Sequence, residues 1–235
     1  MGNGGTEEIE PAPEAPPNII GFADLVPDGD RIYRRHLFQM SETTGDCKAT
    51  YALSAHLANR YLEQEGIALG FDAQTNEWQL GQATFRGLEF HQGAYHQADM
   101  RGEQLLLRYR LAEGDDLLRP FREVTLGEIL AGDVGDDLIR DRVILIGTEA
   151  RSVPDMKPTP YRTRDGTVLE IPGVVLHAHL TSQLLDAALG ERPLLQVWHP
   201  FQDGLWNWGW AMVGGAIACV CRRVGPLSLG TGVMM

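Results

Sequence analysis

The run Arg142–Gly147, with Val143, Ile144, Leu145 and Ile146 in succession, constrains this chain more than any other stretch. It is too short for a helix and shows no polar alternation, so it reads as a strand covered on both faces. Such a strand belongs inside an α/β architecture. The flanking pattern supplies layers for it. Thr50–Glu65 reads as a helix, with Leu53, Leu57 and Tyr61 every four residues and Gly66 as the stop. Val174–Leu189 reads as a second helix, opened by Pro172 and Gly173 and striped by Leu176, Leu180 and Leu184. Thr125 and Glu128 form an S/T-x-x-E capping box that starts a short helix through Ala131. Strands are expected over Ile19–Leu25 and Tyr33–Met40, joined hairpin-fashion through Pro27 and Gly29. Further strands are expected over Trp78–Leu80, Ala83–Phe90 and Gln104–Arg110, and residues 149–172 read as a long loop. The expected fold is α/β, a mixed sheet covered by helices, followed by a C-terminal transmembrane helix.

That last element rests on Leu205–Cys221, a stretch without a charged residue in which only Asn207 is clearly polar. Trp198, Trp206, Trp208 and Trp210 crowd its N-terminal end as an aromatic belt would, and Arg222 and Arg223 close the other end on the inner side. A buried core helix is the competing reading. Ala211, Gly215 and Cys219 make a small-residue row that suits helix packing, or is ordinary content. Residues 222–235 read as a cytoplasmic turn and the start of a second span, and residues 1–18 as a flexible lead-in before a domain over 19–200.

The chain carries a net charge of −12, and all 32 acidic residues precede Leu205. A surface this acidic argues against nucleic acid and against anionic lipid as partners. Cys47 is the only cysteine before the apolar C-terminal run, so no internal disulfide is expected there. Both an unpaired residue and one with a partner elsewhere remain open. The N-terminus lacks the basic start and apolar core of a signal peptide.

No nucleophile elbow, P-loop, HExxH or dinucleotide fingerprint occurs. Asp28, Gly29 and Asp30 suggest a calcium loop, but the later ligand positions fall on Ile32 and Gln39, which leaves a solvated turn. Arg34 and Arg35 are expected on opposite faces of a strand, one paired with a carboxylate and the other toward water. His177 and His179 could share a zinc ion only on a strand. On a helix His177 is half-buried and His179, in line with Gln183 and Asp186, points to water. No metal or cofactor is expected. The candidate ligand residues lie beyond the end of the apolar strand: Glu149, Arg151, Asp155, Lys157, Thr159 and Tyr161. Binding and structural roles for them stand side by side.

In order along the chain, Ile20–Phe38, Tyr51–Leu62, Leu105–Arg110, Phe121–Asp155, Thr159–Tyr161, Ile171–Leu185 and the closing Arg192–Trp198 resemble the second class of CHASE domain. That resemblance implies a non-enzymatic signal receiver displayed outside the cytoplasmic membrane, with helices crossing the membrane after it and an output domain within. It also implies that the family's N-terminal anchor and first αβ units are missing here, so the chain is expected to be incomplete. The expected partners are the membrane and an undefined small-molecule or environmental signal, with a homodimer open. Rival readings are a membrane-bound hydrolase using the 149–172 loop, and a degenerate fragment without activity of its own.

Overall fold

A computed structural model describes residues 14–16, 19–40, 49–95, 99, 101–114, 116–150, 152–153 and 155–224, with side chains as far as Cys221. Cys47, Arg151, residues 225–235 and most of the lead-in therefore lie outside the described residues. The chain divides into two compact units, residues 1–89 with 98–196, and residues 90–97 with 197–235.

The first unit is α/β. Its strands are β1 (Arg35–Gln39), β2 (Leu69–Asp72), β3 (Glu77–Leu80), β4 (Ala83–Phe85), β5 (Glu103–Leu106), β6 (Met156–Arg162) and β7 (Val168–Pro172). Its helices are α1 (Leu53–Gln64), α2 (Leu126–Ala131) and α3 (Gly173–Ala188). Among the described residues the strands form three small antiparallel sheets, β1 with β5, β2-β3-β4, and β6 with β7. The expected single mixed sheet is not found. Among the described residues every strand pairs with an antiparallel neighbour, and none pairs with Arg142–Gly147.

That run is accordingly the main correction to the sequence reading. No backbone hydrogen bond joins residues 143–147 to any described neighbour, and Ile146 is 94% exposed. One close contact ties it down. A side chain on Gly147 would meet Val174 of α3 at 2.5 Å, so the glycine lets backbone approach helix. The capping box of α2 forms as expected. Thr125 Oγ accepts from the Glu128 amide at 3.2 Å, and Glu128 accepts from the Thr125 amide at 2.7 Å. Yet α2 buries no residue, and Leu126, Ile129 and Leu130 are exposed.

Two apolar clusters hold this unit. The first gathers Phe38, Leu62, Trp78, Leu80, Phe85 and Leu184, with Phe38 set edge-on to both Trp78 and Phe85. The second gathers Leu107, Tyr109, Leu118, Ile171, Val175, Leu176 and Leu180. The expected leucine stripe of α3 is buried, each side chain contributing about 2 kcal/mol. On α1 the buried face is Ser54, Ala55, Ala58 and Leu62 rather than Leu53, Leu57 and Tyr61, because the small residues let α1 lie close to α3. Gly66 stops α1 in the left-handed region at φ 74°. The expected Ile19–Leu25 strand reduces to one bridge, Phe22 to Ala52, and Tyr33–Met40 pairs through β1 with β5 instead.

Residues 149–172 are largely a hairpin. β6 and β7 pair Lys157 with Ile171 and Pro158 with Glu170, with a register shift before Arg162 meets Val168. Pro158 and Pro160 disguised this strand in the sequence. Here the Pro158 carbonyl serves the Tyr33 amide at 3.1 Å, and an irregular ladder tolerates the missing donors. The turn closes through the Thr163 amide and the Thr167 carbonyl at 2.9 Å, over Gly166 at φ 90°.

In the second unit α4 (Pro200–Val224) covers the uncharged run. Trp206 meets Trp198 and Trp210 edge-on at 5.8 and 5.5 Å. Among the described residues no helix is long and apolar enough to cross a membrane, so the expected span over Leu205–Cys221 finds no support there. The helix has the length. Asn207, the tryptophans and four glycines dilute its apolar character.

Candidate functional site

Residues of β6 alternate in direction, so Lys157, Thr159 and Tyr161 share a face. Thr159 is buried and donates to the Leu169 carbonyl at 2.8 Å. Tyr161 meets Tyr109 edge-on at 5.6 Å. Lys157 pairs with Asp155 at 2.5 Å and lies 5.9 Å from the centre of the Tyr33 ring. The Tyr109 hydroxyl donates to the Tyr33 carbonyl at 2.8 Å, and burial pushes its phenol well above the ordinary value. Asp155 sits at the start of α3, where its backbone carbonyl accepts from the Gly173 amide at 2.9 Å. Its carboxylate occupies the space a side chain on Gly173 would need. Four of the six expected residues are thus brought together. Glu149 is held elsewhere by Arg119.

A second assembly was not visible in the sequence. α3 turns His179, Ser182, Gln183 and Asp186 toward the segment Leu107–Leu111, which continues the chain after β5. His179, Gln183 and Asp186 are buried, contrary to the expectation that this row faces water. The Arg108 amide donates to Gln183 Oε1 at 2.8 Å, and the Arg110 amide donates to His179 Nδ1 at 3.2 Å. Helix side chains at i and i+4 thereby replace a neighbouring strand for backbone donors at i and i+2. Arg110 also reaches Ser182 at 3.1 Å and pairs with Asp186, which Arg192 shares at 3.3 Å. Spacing at i, i+3, i+4 and i+7 was the one available signal, and polarity argued the other way.

The hydrogen bonds fix both histidine tautomers. His179 Nδ1 accepts from backbone, so Nε2 carries the proton and donates to the Leu118 carbonyl at 2.9 Å. Gln183 commits its oxygen to Arg108, so its NH2 donates to His36 Nδ1 at 3.1 Å. His36 Nε2 then donates to Ser54 Oγ at 2.6 Å. Burial pushes His36 down to about 3 and His179 down to about 4, the latter with help from Arg192 and Arg110. Burial also lowers His177, with Asp155 opposing, and its Nδ1 is buried without a partner.

The His36–Ser54 pair is not a nucleophile and base. Both residues are fully buried, the imidazole donates to the hydroxyl, and Nδ1 faces an amide donor where a triad places a carboxylate. Among the described residues no group of three or more His, Cys, Asp or Glu could hold a metal ion.

Comparison with known proteins adds one finding of family. No curated protein and no solved structure matches the chain. The family model of the CHASE2 domain matches residues 6–216, most of the chain, including both assemblies just described. The chain belongs to the CHASE2 family of extracellular sensory domains.

Proposed function

We propose that this chain is the signal-receiving domain of a receptor, held on the extracytoplasmic side of the cytoplasmic membrane and without catalysis of its own. The observation that carries this reading is the ring path Tyr161–Tyr109–His179, with centroids 5.6 and 5.0 Å apart. It links the hairpin cluster to the polar seam of α3. A small polar or ionic ligand engaging Asp155 and Lys157 acts on β6 directly, and Tyr109 carries the displacement to α3. The exposed Trp206, Trp208 and Trp210 of α4 support contact of that helix with a membrane surface.

The test is the output of a receptor carrying this domain. Asp155→Asn and Tyr161→Ala should each alter output several-fold, while Asp116→Asn leaves it unchanged. Equal, negligible effects from all three would remove the hairpin as the input site. For sidedness, a membrane-impermeant thiol reagent should reach Cys47 in unbroken spheroplasts once the domain is unfolded, whereas labelling of Cys47 only after lysis would place the domain on the inner side.

A further inference from the structure

Every contact that holds the segment Leu107–Leu111 to α3 through Gln183 and His179 requires a neutral imidazole. If His179 binds a second proton, Nδ1–H confronts the Arg110 N–H, and the acceptor at 3.2 Å becomes a donor. Rotating the ring gives no escape, because both nitrogens are then protonated. If His36 binds a second proton, its Nδ1–H confronts the Gln183 NH2 at 3.1 Å. Gln183 can flip to present its oxygen, but its NH2 then confronts the Arg108 N–H. Protonation of either histidine therefore ends as donor against donor at a backbone amide of the same segment. We infer that α3 and Leu107–Leu111 form an acid-released latch, in which proton uptake at His179 or His36 detaches the segment while the first apolar cluster stays folded.

The surroundings favour release over accommodation. Arg110 and Arg192 face His179; Asp186 already serves both, and Glu191, 3.9 Å from Arg110, is drawn to that guanidinium. The Tyr109 ring and the Phe121 ring pack on the other sides of His179, and neither can neutralise a cation by ionising at acid pH. Besides Gln183, the titratable group that α3 turns toward His36 is another histidine, His177. From α1 it meets the neutral Ser54, and from β5 its register partner is Leu105. Arg35 and its partner Asp28 belong to the opposite face of β1. Among the described residues no carboxylate stands ready to pair with either imidazolium. Taking the latch as a sensory input rests on the receptor reading. The donor–acceptor conflict does not, and the experiment reads the latch alone.

Amide hydrogen exchange of the full chain, corrected for the intrinsic pH dependence, tests this. Between pH 7.5 and pH 5 the opening constant at Arg108 and Arg110 should rise about thirtyfold for one released histidine. Amides of Ala58 and Leu62 on α1 should stay protected. His179→Gln keeps a neutral acceptor that cannot be protonated and should reduce the rise at Arg108 and Arg110 to the share that His36 contributes. His36→Gln should reduce it to the share of His179, and the double variant should abolish it. If either variant fails to fold, exchange in the unsubstituted chain still decides. The inference is overturned by undiminished protection of Arg108 and Arg110 at pH 5, by loss of the α1 amides at the same pH, or by an acid response unchanged in both variants.

Discussion

The carboxylate of Asp28 holds the buried guanidinium of Arg35 at 2.7 Å, their side chains 12% and 2% exposed. Its other oxygen takes Arg34 at 2.9 Å. The Asp28–Asp30 turn is therefore an anchor for β1, with Asp30 held down to about 2 chiefly by its hydrogen bond to Arg34. Arg35 also reaches Gln104 at 2.6 Å and the Asp99 carbonyl at 2.8 Å. Removing the charge that balances it leaves a buried cation. Asp28→Asn should destabilise the fold by about 3 kcal/mol in urea titrations, and Asp30→Asn by far less, since its carboxylate is exposed.

Gly173 and Asp155 should prove coupled. Gly173→Ala drives a methyl into the Asp155 carboxylate and should cost about 2 kcal/mol, although alanine is the better helix former. Asp155→Ala in the same chain should recover about half of that. A double-mutant cycle showing no coupling would contradict the contact.

Thr125→Ala removes the cap of a helix that buries nothing. It should raise amide exchange within Leu126–Ala131, consistent with a local loss of about 1 kcal/mol. The global unfolding midpoint should not move.

Acid should weaken the fold through the same histidines. Burial keeps both neutral when folded, so the unfolded chain binds more protons below its ordinary value of 6.5. Their contribution is complete above that pH. It is lost as pH falls, at up to about 1.4 kcal/mol per pH unit for each, until His179 titrates near 4 and His36 near 3. Urea denaturation from pH 7.5 to 4 should show this slope, and His36→Gln should reduce it.

The sequence made legible what local chemistry decides. The Thr125–Glu128 box, the Gly66 stop and the leucine stripe of α3 are short-range patterns, and each forms where expected. Long-range choices were not legible. Arg142–Gly147 has the composition of a covered strand, but composition cannot name the strand that would pair with it. Pro158 and Pro160 hid β6, because their missing donors look fatal until the irregular ladder is seen. Of the candidate ligand residues, Asp155, Lys157, Thr159 and Tyr161 come together on one hairpin, as their closeness in the chain allows. His36, Ser54 and Gln183 were not legible, since what joins them is the meeting of β1, α1 and α3.

Because α3 points a polar row inward, its mutational tolerance should run against its hydropathy. In a saturation scan, Leu184→Met changes little volume and should be accepted. Gln183→Leu, the more hydrophobic choice at a buried position, should be rejected, since it strands the Arg108 amide and His36 together. A designer who greased this helix to stabilise it would instead unfasten it.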